Sequence, residues 1–300
     1  YQINNIGQTF IDAGVYYNLD LAENYTKQIY ANRRFYTPMT RWAGGATMYQ
    51  IYTRDSVPNL EGIKKLQSFK SNDVDVWLGH SEPLYYRYNN LHKVQTNLIT
   101  SLRYYSKNYI EQPVGEYDPH NYFTDQKLYM ATVGLASINY VQDRYIFHYD
   151  MIEDIAVGKT FMLIGGIQQK NNINRPYIGA QFALGKYTKR GYFGGEIQWG
   201  TFINDKRFEE GVFRMEGLYF SKLYHLGRWG FRHFFNPEIV IGLKRWDYAM
   251  DKITLNGSYG IDGFDSYELR GTKKVLLNFQ LQSYAPYEWL GFRFSPFLSA

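Results

Sequence analysis

The sequence predicts an all-β fold, a transmembrane antiparallel β-barrel, and three observations carry that reading. From Val275 onward, Val275, Leu277, Phe279 and Leu281 are apolar, whereas Asn278, Gln280 and Gln282 between them are polar. This period of two is that of a strand with one apolar and one wet face. Aromatic residues make up 19% of the chain and Tyr is the commonest residue, with 30 copies beside 20 Phe and 6 Trp. Such an excess fits girdles at two membrane interfaces. Mean hydropathy is −0.45, and no run approaches the roughly 20 apolar residues of a transmembrane helix. A soluble sandwich would bury the apolar face. A chain that repeats the pattern with aromatic strand ends and no helices suits lipid outside and water inside.

Composition narrows the chemistry. Without cysteine, a disulfide framework, a thiol nucleophile and a Cys-ligated metal are excluded. The net charge of +5 is spread along the chain, and its densest clusters, Arg33-Arg34, Lys64-Lys65 and Lys273-Lys274, are short. That distribution suits a lumen or lipid headgroups, and no nucleic-acid motif is present. The competing class is a soluble aromatic-rich β protein, of sugar-binding or surface-layer type.

Taken in order, strands are read near 8–19, 25–36, 40–53, 67–81, 92–107, 126–141, 159–170, 177–187, 191–203, 209–222, 230–245, 273–285 and 291–300, about thirteen in all. Residues 55–66 suggest a brief helix or loop excursion. In 178–184 the face Ile178, Ala180, Phe182, Leu184 opposes Gly179, Gln181, Ala183; in 193–203 the face Phe193, Gly195, Ile197, Trp199 opposes Gly194, Glu196, Gln198, Gly200. The connection through residues 186–191 is short, whereas 110–125 and 245–272 are long. Short turns on one side and long external loops on the other are an outer-membrane asymmetry. One domain over 1–300 is expected. Tyr1 opens on the approach to a strand without an export signal and residues 291–300 read as a strand cut short, so an upstream periplasmic domain and the last strands are expected beyond the chain.

No catalytic, cofactor or metal site is read. Gly257, Gly260, Gly263 and Gly271 match neither G-x-x-x-x-G-K-[ST] nor G-x-G-x-x-G, and loop tightness in a crowded lumen explains them better than a phosphate cradle. The six histidines, at 80, 92, 120, 148, 225 and 233, show no ligand spacing. Glu153-Asp154 and Glu209-Glu210 read as solvated loop carboxylates.

The strand over 191–203, the turn Glu209-Glu210-Gly211, the strand 212–222, Trp229, Arg232-His233-Phe234, the strand 238–245, a long loop and then Leu-Arg-Gly-Thr-Lys-Lys-Val-Leu-Leu-Asn-Phe over 269–279 together resemble the C-terminal barrel of the BamA/TamA superfamily, in a Bacteroidetes-like branch. The likeness is strong over 190–300 and weaker before it. It implies sixteen strands when complete, with a sixth external loop between the eleventh and twelfth that folds back into the lumen. Its motif corresponds to Gly260, Ile261, Asp262, Gly263 and Phe264, supported by Arg270, Gly271 and Asn278. Family members carry Arg, paired with acids on the inner wall, where this chain has Asp262. A buried unpaired charge costs several kcal/mol, so the wall must change with the loop. Three alternatives follow: Asp262 meets a basic wall residue, both partners are lost (Ser299 falling near one acidic position), or Arg270 substitutes for the missing cation.

The resemblance implies a non-enzymatic bacterial outer-membrane protein without cofactor, acting in outer-membrane protein assembly or polypeptide translocation. Its partners would be the bilayer, lipopolysaccharide and client polypeptide or envelope-complex subunits, with no nucleic acid. The alternative is a barrel that anchors, or forms a pore for, a periplasmic domain or larger envelope complex.

Overall fold

A computed structural model of the chain describes residues 1–37, 39–89, 92–146, 148–246, 248, 251–256, 260, 261, 264 and 269–300, with side chains left out over 85–94. Nineteen strands are assigned among them. They are β1 (Gln2–Ile3), β2 (Asp12–Leu19), β3 (Tyr25–Arg33), β4 (Trp42–Pro58), β5 (Lys64–Asn89), β6 (His92–Glu111), β7 (Gln126–Arg144), β8 (Ile152–Lys170), β9 (Ile173–Thr188), β10 (Gly191–Asn204), β11 (Arg207–Ser221), β12 (Tyr224–Leu226), β13 (Trp229–Leu243), β14 (Ile253–Thr254), β15 (Arg270–Gly271), β16 (Lys273–Tyr284), β17 (Glu288–Trp289), β18 (Phe292–Arg293) and β19 (Phe297–Ser299). Fifteen of them form one antiparallel sheet, in the path β1 through β11, then β13, β16 and β19, with β12 attached to β13. Each long strand pairs with the next in sequence, as expected when short turns join antiparallel neighbours. Among the described residues no ladder joins β1 or β2 to β16 or β19, so the sheet is open between them.

The register realises the alternation read from the sequence. Phe193 pairs with Tyr219 and Ile197 with Phe182 and Met215, while Gln198 sits between Gln181 and Arg214. In β16 the apolar positions are the exposed ones: Leu277 is 66% and Val275 63% exposed, against 8% for Lys274. Leu102, Ile29, Leu163, Val133, Leu78 and Met48 show the same outward exposure on six other strands. The opposite face lines two cavities. One of about 700 Å³ takes Gln28, Thr47, Asp75, Arg103, Thr132 and Gln181 from β3 to β9. The other, of about 940 Å³, takes Glu196, Arg214, Glu216, Asn278, Gln280 and Ser299 from β10 to β19. One face of the sheet is therefore concave and polar, and its convex face is apolar.

At Gly158 and Gly191 a close backbone approach coincides with a positive φ, which together exclude any other residue. Gly158 (φ +136°) would set a Cβ 1.9 Å from the Ser137 carbonyl oxygen, and Gly191 (φ +138°) would set one 2.2 Å from that of Phe220. Gly191 closes the two-residue turn between β9 and β10.

The structure corrects several expectations. Residues 55–66 are not helical: β4 and β5 run on to Pro58 and from Lys64, joined by a tight turn in which the Asn59 side chain accepts the Glu61 and Ile63 N–H groups. Backbone ladders outcompete the weak helical signal there. Among the described residues the helical turns are short 3-10 pieces, Ile6–Gln8 and Gly115–Tyr117. Residues 291–300 are not one strand, because β17 and β18 form a separate small hairpin and only β19 joins β16 in register. The pairing of residues 294–300 with β16 survives in single bonds, such as Ser283 N–H to the Pro296 oxygen. The long connections 112–125 and 244–272 do share one end of the sheet, opposite the 189–190 turn. That same end also holds the two-residue turns 171–172 and 205–206.

At the β2–β3 turn the Asp20 carboxylate accepts the Ala22 and Asn24 backbone N–H groups, each at 2.8 Å, and the Asn24 side-chain amide at 2.9 Å. These donors, the Asn24 side chain first, hold its pKa below the ordinary 3.8. A depressed carboxylate stabilises the fold above its unfolded pKa and loses that contribution as pH falls through the folded value. We expect amide exchange at Ala22 and Asn24 to accelerate below about pH 3.8, and Asp20→Asn to remove that step while leaving the other turns unchanged.

Candidate functional site

The concave wall is built from charges that strand alternation aims at one another. Arg103 in β6 makes a forked ion pair with Asp75 in β5, and Lys107 lies 3.7 Å from Asp73 one step along. In β10, Glu196 accepts from Gln181 at 2.7 Å and from Gln198. Arg214 in β11 reaches Glu216 at 2.8 Å and Glu238 in β13 at 3.4 Å, and Lys274 in β16 reaches Glu238 at 3.5 Å. Opposite charges on neighbouring strands of one face attract without any change of register.

This second cluster is where the loop between β13 and β16 returns. Gly260 and Ile261 line the same cavity as Glu196, Arg214, Glu216, Glu238, Asn278 and Ser299. The chain turns back on itself there: the Ile261 N–H donates to the Leu255 oxygen at 2.9 Å and the Phe264 N–H to the Ile261 oxygen at 3.0 Å. A Cβ on Gly260 would lie 1.8 Å from that Leu255 oxygen, which is why the position takes glycine. Asp262 and Gly263 lie outside the described residues. Asn278 faces the cavity and pairs in register with Asn236, whereas Arg270 and Gly271 form a two-residue ladder with Thr254 and Ile253, away from the main sheet. Arg270 is near enough to Tyr248 for its charge to act on that hydroxyl.

The start of the same loop is pinned at the rim. Arg245 donates to the Glu210 carbonyl oxygen at 3.1 Å and pairs with the Asp251 carboxylate, which also accepts the Trp246 N–H at 3.0 Å. Burial raises the Asp251 pKa, with Arg245 pulling the other way. Tyr248 donates to the Tyr117 oxygen at 2.7 Å and joins Val57, Tyr117 and Phe123 in an apolar cluster. Its hydroxyl is pushed up to about 12 by burial.

At the opposite end the concave side is crossed. Asp143 of β7 lies 3.2 Å from Arg232 of β13, although five ladders separate these strands. At about 4.8 Å per ladder that is about 24 Å along the sheet, so the contact runs through the interior. Arg232 is only 2% exposed; it also donates to the Arg144 oxygen at 2.9 Å and lies 5.2 Å over the Phe220 ring. Tyr284 donates to the Tyr145 oxygen at 2.6 Å and Tyr149 to the Ala285 oxygen at 2.5 Å. Beneath these bonds Ile146, Ile155, Tyr192, Phe220 and Phe234 form a buried apolar cluster. The β7–β8 turn thus closes this end.

Sequence reasoning found the wall's alternation, and it missed the latch. Arg232 was noticed within Arg-His-Phe but given no role, and Asp143 carried no signal, since a single charge in a strand looks alike whether it meets water or a partner. Glu209-Glu210, read as solvated, instead hold Arg175: Glu210 accepts from it at 2.7 and 3.2 Å. Glu153 pairs with His148 at 2.7 Å rather than standing free. Among the described residues no three His, Asp or Glu side chains converge as a metal site. Comparison of the chain with protein-family models, with curated proteins and with solved structures gives no match.

The latch sets an expected outcome. Asp143→Ala leaves Arg232 buried without its counter-charge and lowers unfolding stability by about 3–5 kcal/mol, whereas the pair Arg232→Met with Asp143→Leu regains most of that loss. Urea unfolding midpoints of the three proteins measure both.

Proposed function

We propose that this chain is the wall of a bacterial outer-membrane β-barrel of the BamA/TamA type, non-enzymatic, acting in outer-membrane protein assembly or polypeptide translocation. The observation that carries the membrane part is the inverted polarity of the sheet: the convex face exposes Leu277, Leu102 and Leu163, and the concave face is charged and cavity-lined. In water such a convex face would be a large apolar patch, which soluble monomers avoid. In lipid it is the favourable surface. The ten strands β4 to β11, β13 and β16 run from 12 to 26 residues, beyond the roughly 9–11 that cross a bilayer. On this reading the complete barrel has sixteen strands, and closure satisfies every backbone group in lipid.

The return of Gly260 and Ile261 to the wall supports the assembly or translocation part, because an inward loop held by wall charges is the family's device. In this chain Glu216 and Glu238 already have cations on the wall itself, Arg214 and Lys274. Client polypeptide would be handled by strand addition at the barrel seam or passage through the polar lumen. Lipid and lipopolysaccharide would contact the convex face.

The apolar clusters on the concave side favour a second reading. With apolar clusters near both ends of the concave side, the barrel can serve as a mount for a periplasmic domain or an envelope complex rather than as a conduit.

Leu277→Arg, on the convex face, should destabilise the bilayer-folded protein by about 2–4 kcal/mol near the midplane, while Gln280→Arg on the concave face costs far less. Heat-modifiable migration in detergent gels and unfolding in liposomes read this; equal tolerance of both would sink the membrane reading. A photo-crosslinking residue at Asn278 in proteoliposomes should capture an unfolded outer-membrane polypeptide during its insertion. Capture of no client by a properly folded barrel would favour the mount.

A further inference from the structure

The rim that carries the long loops holds a second, smaller cavity of about 270 Å³, distinct from the two on the concave wall. Four segments distant in sequence build it. The loop after β6 supplies His120, Asn121 and Tyr122, the end of β8 and the turn after it supply Lys170 and Asn171, the end of β10 and the start of β11 supply Asn204 and Glu209, and the loop after β13 supplies Trp246. Trp246 is 46% exposed, yet it is held rather than loose: its indole N–H donates to Glu210 at 3.2 Å, and its ring lies 5.1 Å from that of His120. This contact also distinguishes Trp246 from an interfacial girdle residue. His120 follows β6, six ladders from β13, so the two rings meet over the mouth of the curled sheet and not on its convex face.

The polar groups say what would bind there. Lys170 and Arg175 are matched in number by Glu209 and Glu210, so the cavity has no net charge to recognise an ion. Arg175, the group best shaped for phosphate or carboxylate, is already committed to Glu210 and to Gln168 at 2.6 Å. What remains is an exposed aromatic face beside the Asn121 amide and the Asn204–Glu209 pair, joined by one long 3.4 Å hydrogen bond; Asn171 is already held between Thr124 and the Asn121 backbone oxygen, and Glu209 lies 3.7 Å from Arg175. Sugars fit that combination. A pyranose offers an apolar C–H face to a ring and a hydroxyl edge that both donates and accepts, which amides and carboxylates match in both senses. The volume suits one or two rings and falls short of a drug-sized pocket.

We propose that this rim pocket is a binding site for a neutral saccharide, in which the sugar stacks on Trp246 and its hydroxyls bond to Asn204, Glu209 and Lys170. The proposal goes beyond the function proposed above. The site binds sugar through its own side chains whether or not the barrel handles polypeptide.

The test is titration calorimetry on the full chain, folded in a detergent without a sugar headgroup, using maltohexaose, cellohexaose and chitohexaose as probes. At least one should bind. Trp246→Ala should weaken it at least tenfold and Trp246→Phe less, while Trp289→Ala, which removes an exposed indole at the other end, leaves it unchanged. Asn204→Ala with the ring intact should also weaken binding, which a merely sticky aromatic would not show. Binding of none of the three probes, or equal losses for Trp246→Ala and Trp289→Ala, overturns the proposal. Heat-modifiability of the same samples separates this result from the membrane reading, since a heat-modifiable barrel that ignores all three sugars sinks the saccharide site alone.

Discussion

The rest of the structure depends on an antiparallel backbone register that runs from β1 to β19 with few interruptions. Because side chains alternate strictly along a strand, a one-residue slip in any ladder would send apolar groups to the concave face and charges to the convex one. The interruptions that do occur are local. The shift at Pro83/Tyr85 sits where a proline cannot donate to its neighbour, and the shift at Gly200/Phe202 leaves the Thr201 hydroxyl bonded to the Glu209 oxygen at 3.0 Å. Between such points the ladders keep Asp75 opposite Tyr105 and Glu238 opposite Leu276, so every inward charge has a fixed neighbourhood.

Given that register, the concave wall is organised by pairing rather than by burial. Most of its ions meet partners one or two strands away; Arg103 and Glu216 stay half exposed, so their pairs contribute modestly, whereas Asp73 and Lys274 are nearly as buried as Arg232. Arg232 differs in where its partners lie. Nearly all of it is removed from water, and its partners come from the far side of the curl, so it ties the β7–β8 end to β13 in a way no ladder does. The aromatic cluster beneath it supplies what a wet wall lacks, apolar area buried on both sides.

The two ends differ in how they are closed. At one, a strand pair crosses the interior and is locked by an ion pair and tyrosine hydroxyls. At the other, two long loops meet each other through Tyr248 and Tyr117, and Trp246 and His120 are left facing outward above the polar turns. Loop segments carry recognition more readily than wall segments, because their backbones need not satisfy a ladder.

Much of the wall was legible in the sequence. Period-two patterns such as Val275-Leu277-Phe279 and Phe193-Gly195-Ile197 are local properties, and a strand expresses them whatever its neighbours, so the all-β antiparallel class, the convex face and the place of the long loops followed from residues alone, whereas the expected thirteen strands became nineteen among the described residues. The extension of β4 and β5 through 55–66 was not legible, since ladder bonds between segments decide where a strand stops. Nor was the break at 288–293 that leaves only Phe297–Ser299 in register. Above all, the tertiary structure alone decided that Asp143 meets Arg232, that Glu210 holds Arg175, and that Trp246 meets His120. Those pairs lie 35 to 126 residues apart; two ladders bring Arg175 to Glu210, and the curvature of the sheet, a sum of small twists over many ladders, brings the other two within a few ångströms.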